Sequence, residues 1–408
     1  MMRSHYQKAA AFMEQKLEQR PRGFDLFLKE LFAMNVRAFQ EDVKTVYVSG
    51  YAFPVELLRA FDVVLFDFEI ACNNLPAATS GNGSSIMVTS ENQGYSRDIC
   101  SFHRLAIGCQ LQGMLPKGDL YITSSYYCNG KAKTNEILAN SERKESVLFD
   151  VPNEISDSSV QYVASQLKEI ASRLETITGK KLDMDRLREA MQLSNKARSS
   201  LKDMHELMKT RPCPWDGATA CLLELGGAMF WGTPVREEIN QLLIREMKDR
   251  IKSGKLFPEN HRVLWFPWVP VQTTNTFKIL KENRVNIVMS EVARVWWSEL
   301  DENRPFEALA LKALQNLHVG AAEERVRSLM ALTEEYNVDG AIHFSTPACY
   351  HETASFRLIS DTLKGKGLSV LDLDGDMTDE RNYSPERTLT KLMPFLDILA
   401  SRDVGDNG

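Results

Sequence analysis

Lys44-Thr45-Val46-Tyr47-Val48-Ser49 and Val63-Val64-Leu65-Phe66-Asp67-Phe68 decide the fold, together with the segment between them. Each is a short apolar run rich in β-branched and aromatic residues, bounded by turn-forming sequence. Neither shows the strict polar alternation of a strand with one wet face, so both fit strands buried on two sides. Between them, Pro54 to Ala60 reads as a helix with proline near its first turn. Strand, helix and strand at this pitch predict a parallel sheet covered on both faces.

The same rhythm continues outward. Ser101 to Gln112 reads as a helix opened by Ser101, Asp119 to Thr123 as a strand, and Ser146 to Asp150 as another. Upstream, residues 4–42 have helical spacing and are divided by Pro21-Arg22-Gly23. Downstream the character changes. Val160, Val163, Leu167, Ile170, Leu174 and Ile177 recur at three and four residues, which marks an amphipathic helix. More helix follows Met184, Arg211 to Gly217 breaks it, and Thr219 to Phe230 and Pro234 to Ser253 resume it. Arg262 to Phe266 opens a second α/β region, with strands expected at 286–290, 340–344 and 368–373. Helices are expected around Lys278-Ile279-Leu280-Lys281, over 321–336 and over 385–400. The expected fold is α/β, with two Rossmann- or flavodoxin-like parallel-sheet domains joined by a helical segment. Its divisions are N-terminal helices at 1–44, a first α/β domain at 45–156, a helical segment at 157–258 and a second α/β domain at 259–408. No short-period repeat, low-complexity tract or flexible linker stands out.

Composition narrows the function classes. At 408 residues, 43% of them hydrophobic and 25% charged, the chain is long enough for two or three full cores and ordinary for a soluble protein. A net charge of -6 argues against nucleic acid as a partner. No apolar run approaches the roughly 18 residues a membrane span needs, so no membrane partner is expected. The N-terminus lacks the apolar core of a signal peptide. Seven cysteines without an export signal point to a reduced, cytoplasmic setting rather than a disulfide framework. No Cys-x-x-Cys pair occurs, so zinc-ribbon and ferredoxin-type spacings find no support.

Three cysteines separate from the others by position. Cys100, Cys128 and Cys349 each read as lying on a loop after a strand-like run. In an open α/β sheet, ligands gather at the carboxyl ends of strands. Three thiolates brought together there would suit an iron–sulfur cluster with one iron free for chemistry. Cys72, Cys109, Cys213 and Cys221 lie in or beside apolar stretches and read as structural.

Other candidates carry plainer readings. Gly81-Asn82-Gly83-Ser84-Ser85 lacks the ending of a Walker A loop and the spacing of a dinucleotide fingerprint, so it reads as a turn. No Walker A occurs elsewhere, so any ATP hydrolysis belongs to another polypeptide. Glu69 follows a strand at its carboxyl end. Taken alone, it is a solvated strand-end carboxylate. Asp374, Asp376 and Asp379 cluster after a strand and read as a loop paired with Arg381 rather than a hard-cation site. His103, three residues past Cys100, reads as a buried, hydrogen-bonded histidine, with proximity to a metal as the sharper alternative. His343 lies inside a strand and reads as core. Trp265, Trp268, Trp296 and Trp297 suggest core or a subunit interface.

In their order, these stretches resemble the iron–sulfur subunits of the 2-hydroxyacyl-CoA dehydratase and benzoyl-CoA reductase family. The resemblance covers roughly residues 45–400. It rests on Phe53-Pro54-Val55-Glu56-Leu57, on Gly94 through Arg104 around Cys100, and on Pro116-Lys117-Gly118-Asp119-Leu120 leading to Cys128-Asn129. It rests also on Phe230-Trp231-Gly232-Thr233, on Cys349 after an Asp-Gly-Ala strand, and on Asp374-Gly375-Asp376 with Asp379, Arg381 and Tyr383. The resemblance implies a [4Fe–4S] cluster held by three cysteines, and Cys100, Cys128 and Cys349 match them. It implies a second related iron–sulfur subunit, a separate ATP-hydrolysing iron–sulfur activator, and a CoA-thioester substrate. The activator's electron would make a ketyl radical for loss of water in a dehydratase, or drive ring reduction in a reductase.

Glu69 matches a family position associated with the dehydratase active site. Tyr51 stands where a dehydratase catalytic subunit carries serine, two residues before Phe-Pro. A tyrosine still donates a hydrogen bond, with a different reach. That departure admits a reductase or an electron-relay subunit beside (R)-2-hydroxyacyl-CoA dehydration, and Asn73-Asn74-Leu75-Pro76 faintly resembles the reductase branch. A related protein with a larger iron–sulfur assembly is a further class, and would need Cys72 or Cys109 turned toward the three.

Overall fold

The apolar runs pair as parallel strands in two separate four-stranded sheets. This computed structural model describes residues 1–75, 83–126, 128–270 and 275–405. It opens with helices α1 (Met2–Gln19) and α2 (Gly23–Arg37). There follow β1 (Lys44–Tyr47), the short α3 (Glu56–Arg59), β2 (Val63–Phe66), α4 (Phe68–Asn73), α5 (Gly83–Glu91) and α6 (Ser101–Leu111). Then come β3 (Leu120–Ser124), α7 (Asn129–Ser141) and β4 (Glu145–Phe149). These strands lie in the order β2-β1-β3-β4, all parallel.

Helices α8 (Asp157–Thr178), α9 (Met184–Met208), α10 (Gly217–Gly227) and α11 (Pro234–Ser253) separate this sheet from the second. The second half runs β5 (His261–Phe266), α12 (Asn275–Glu282), β6 (Val285–Ser290), α13 (Pro305–Leu314), α14 (Ala322–Glu335) and β7 (Gly340–Ser345). It closes with α15 (Tyr350–Thr353), α16 (Phe356–Gly365), β8 (Ser369–Asp374) and α17 (Pro385–Gly405). Its order is β6-β5-β7-β8, again parallel. Counted within each half, both sheets therefore read 2-1-3-4. This is the flavodoxin-like order, with its switch point between first and third strands.

Local chemistry sets the element ends. Ser156 caps α8 by accepting from Ser159 N, and Gly179 ends it at φ 69°, where a side chain is strained. Helix α9 ends with Met208, Lys209 and Thr210 carbonyls that have no helical partner. The buried guanidinium of Arg262, on β5, donates to all three at 3.1–3.5 Å. A charged residue inside a fully buried strand is thereby satisfied, and the helical segment is pinned to the second sheet.

One hydrophobic core runs from Leu26 to Leu399 through both halves and the helices between them. A smaller one lies on the first half and includes Met2, Tyr6, Phe66, Cys72, Cys109 and Tyr121. Cys213 and Cys221 belong to the large core, so these four cysteines pack as small apolar side chains. Trp265 and Trp297 are core residues as well.

The carboxyl ends of the two sheets face each other. Tyr51, after β1, packs edge-on against Trp268, after β5, at 5.5 Å between ring centres. Asn316 Nδ2 donates to Tyr51 O at 3.1 Å. Farther along the seam, Ser101 donates to Asp376, Thr378 to Asn73, and Arg104 to Asp379 at 2.9 Å. Arg381 pairs with Glu91 at 2.6 Å.

Some expectations change. Gly83, Ser84 and Ser85 open α5 rather than forming a turn, while Gly81 and Asn82 lie outside the described residues, as do Pro76 and Tyr127. Cys100 does not follow a strand. It comes after α5 and a loop, and stands at the start of α6.

Candidate functional site

In a parallel α/β layer the helices run back against the strands, so helix N-termini collect at strand carboxyl ends. Amide N–H groups and the helix dipole there favour anions. Each of the three cysteines stands at such a start. Cys128 precedes α7 and its Sγ accepts from Lys131 N at 3.4 Å. Cys100 precedes α6 and Cys349 precedes α15. The backbone before Cys349 is strained: Ala348 holds φ 63°, a left-handed conformation rare outside glycine.

The three thiols lie near enough to one another to interact electrostatically. Burial pushes the Cys100 thiol far up, and Cys128 and Cys349 push it further. Cys349 is raised by burial, then by Glu352 and Cys128. These three are partly exposed, whereas the other four cysteines are buried. Among the described residues, the one group of His, Cys, Asp or Glu donors lying within 4.8 Å of one another is His318, His351 and Glu352. The three sulfurs therefore do not all lie within 4.8 Å of one another. Their softness, spacing and partial exposure fit a polynuclear iron–sulfur group.

A buried chain of charges runs up to the thiols. Asp67 caps α4 by accepting from Glu69 N at 3.0 Å. Lys131 Nζ lies 2.5 Å from Glu69 Oε2 and 3.3 Å from Asp67 Oδ1. His103 Nε2 lies 3.5 Å from Glu69 Oε1 and 3.9 Å from Cys128 Sγ. Burial works against the charged form of Glu69, but Lys131 and His103 outweigh it and hold the carboxyl well below the usual range. Burial likewise opposes the charge on His103, yet Cys128 and Glu69 bring it up to about 9. Lys131 reaches about 12, because Asp67 and Glu69 overcome its burial. Gly130 makes room for this contact, since a Cβ there would fall 2.6 Å from His103 Cε1. A small cavity of about 10 Å³ lies beside the chain, lined by Ser49, Phe53, Thr123, Ser124, Cys128 and Lys131 among others.

Glu69 is therefore no solvated strand-end group: it is largely buried and paired on both oxygens. His103 is buried and hydrogen-bonded, and also adjoins a candidate ligand. Tyr51 belongs to a different group, with Trp268, Trp296 and His318 around its ring. Burial and the charges of Glu291 and Glu352 push its phenol far up, so it stays protonated. Asp379 pairs with Arg381 and Arg104, Asp374 with Lys391 and Arg387, and Asp376 with Ser101. The aspartate cluster is thus consumed by ion pairs and the seam. His343 is buried and bonded to Asp372 at 2.7 Å, so it is more than core filling. Lys131 escaped the reading of the sequence. Its one signal was its place three residues after Cys128.

Polar groups gather at the switch points of two doubly wound halves, where α/β enzymes hold their ligands. The chain belongs to the 2-hydroxyglutaryl-CoA dehydratase D-component family, whose model matches residues 51–399. It is 24% identical over 348 residues to the (R)-phenyllactyl-CoA dehydratase alpha subunit of Clostridium sporogenes, covering 80% of this chain and 83% of that one. It is 26% identical over 400 residues to a benzoyl-CoA reductase subunit of Thauera aromatica, covering 90% of each. With the (R)-2-hydroxyisocaproyl-CoA dehydratase alpha subunit of Clostridioides difficile it shares 24% over 415 residues, 96% of this chain and 98% of that one. Its relatives are thus subunits of acyl-CoA dehydratases and of a reductase. No helix among the described residues is long and apolar enough to cross a membrane.

Proposed function

We propose that this chain is the cluster-bearing subunit of a cytoplasmic, low-potential radical enzyme acting on acyl-CoA thioesters, with (R)-2-hydroxyacyl-CoA dehydration as its reaction. One observation supports the reading: three partly exposed thiols lie within electrostatic reach of one another and of the largely buried Glu69, with His103 between Glu69 and Cys128. Cys100, Cys128 and Cys349 would hold a [4Fe–4S] cluster. When bound, that group supplies single electrons and a Lewis-acidic iron. The remaining work falls to side chains. Lys131 and His103 keep Glu69 ionised, so it enters the cycle as a proton acceptor. His103 carries the proton that a departing hydroxyl needs, and Lys131 anchors the carboxylate between them. Tyr51, kept as a phenol, acts only as a donor. A related second subunit and a separate ATP-hydrolysing activator complete the enzyme.

A second reading, a benzoyl-CoA-type reductase subunit, is favoured by Tyr51 and by the 26% identity across 400 residues with the reductase subunit. The cluster assignment is common to both. Anaerobically prepared protein is expected to hold about four irons per chain. Cys128→Ala should lose most of that iron and the broad charge-transfer absorption, while Cys213→Ala keeps both. Full iron in the Cys128→Ala protein sinks the assignment. Turnover of a 2-hydroxyacyl-CoA against an aromatic acyl-CoA, with partner and activator present, separates the two readings.

A further inference from the structure

We propose that His318, His351 and Glu352 form a second metal site, beside Cys349 and Tyr51 but using none of the three thiols, for one borderline first-row divalent cation. The donor atoms all lie within 4.8 Å of one another. His318 Nδ1 is 3.3 Å from Glu352 Oε1, with both side chains buried. The two imidazole rings stand 5.3 Å apart, edge toward face. Two imidazoles and a carboxylate are the ligands that Zn²⁺ and Fe²⁺ prefer.

The site has a supporting shell of the kind that orients ligands. Arg325 Nη2 holds Glu352 Oε2 at 2.6 Å. The guanidinium is itself fixed by Glu291, through Nε at 2.6 Å and Nη2 at 2.8 Å, and by Ser355 Oγ at 2.9 Å. The Trp268 ring stacks on His318 at 5.9 Å. Glu352 thus arrives oriented, and His318 is held in plane. His351 is exposed and gives an ion its way in.

Charge makes the second, independent argument. Glu291 and Glu352 are both buried and share one guanidinium. One guanidinium shared by two buried carboxylates leaves a negative charge that a bound cation would balance. The shared strand order sharpens the point. Lys131 lies three residues past Cys128 behind the third strand of its sheet, and Glu352 lies three residues past Cys349 behind the third strand of the other. Carboxylates also follow both second strands: Asp67 and Glu69 after β2, and Glu291 after β6. Where the first half meets its glutamate with a lysine, the second half places a further carboxylate and two imidazoles. Three protein ligands leave a fourth position for water or an oxygen of a bound molecule.

The test uses the full chain. In a Cys100→Ala, Cys128→Ala, Cys349→Ala background, Zn²⁺ should bind at about one ion per chain by competition against a chromophoric chelator. Co²⁺ should show visible d–d bands without sulfur charge transfer. His351 is exposed, so His351→Ala leaves the fold intact. It should weaken binding by at least the 10–100-fold typical of a lost supporting contact. Should the triple variant not fold, the unaltered chain serves. Loaded anaerobically with iron and zinc, it should lose its zinc and keep its iron on His351→Ala. No zinc in the folded triple variant, or affinity unmoved by His351→Ala in either protein, overturns the site.

Discussion

At the scale of single residues, the places of Cys128 and Cys349 after β3 and β7 were legible, while the place of Cys100 after a helix and the electrostatic setting of all three were not. A thiol near an expected strand end can be read from one dimension. The partners of Glu69 cannot, because Lys131 and His103 lie in other helices and meet it only when α4, α6 and α7 pack. The same holds for the reading of Glu69 as solvated, which ignored burial that arises between elements. That burial makes a definite prediction. Glu69→Gln keeps the shape and removes the base, so turnover should fall about 10²–10⁴-fold, the usual worth of a general acid–base group. Iron content and CoA-ester binding should stay near those of the unaltered protein, since the loss belongs to the transition state. Turnover within about twofold would move the proton chemistry to the partner subunit.

At the scale of elements, the strands were the most legible part, because continuous apolar runs have few other uses. Helices α4, α5, α7, α13, α15 and α16 were missed. Helix α13 in particular carries a lysine on its buried side, which breaks the simple pattern of apolar in and polar out. Lys312 Nζ lies 2.5 Å from Glu56 Oε1 on α3 and sits over the Trp297 ring at 4.3 Å. Ser194 of α9 donates to the same Glu56 oxygen at 2.7 Å. One fully buried pair thereby ties three elements that are remote in the chain. Lys312→Met should leave Glu56 buried without its cation and cost about 3–5 kcal/mol of stability. Adding Glu56→Leu should restore much of that, because both charges are then gone. A urea-unfolding cycle measures it, and two losses that simply add would refute the coupling.

At the scale of the whole molecule, the two α/β halves were legible, but their shared strand order and facing carboxyl ends were not, since pairing order leaves no mark in a single apolar run. Global stability carries a pH signature of this packing. His205 is buried among Arg236, Lys209 and Arg294, and burial first, then those charges, lowers it to about 3. In the unfolded chain it takes up a proton near 6.5. Folded stability is therefore full above that pH and falls as pH drops from 6.5 toward 3. The loss is about 1.4 kcal/mol per unit, or about 2 kcal/mol by pH 5. His205→Gln should show a smaller drop in unfolding midpoint between pH 7.5 and 5, and an equal drop would rule the group out. The repeated 2-1-3-4 order bears also on ancestry. Two like modules in one chain would follow from a tandem duplication, and superposing residues 44–149 on 261–374 tests it. Cys128 and Cys349 are then descendants of one position. Cys100, at the start of the helix before β3, has Ala321 as its counterpart at the start of the helix before β7. Divergence between sister copies would then have left three thiols for four irons, and with them the open iron position that the proposed chemistry uses.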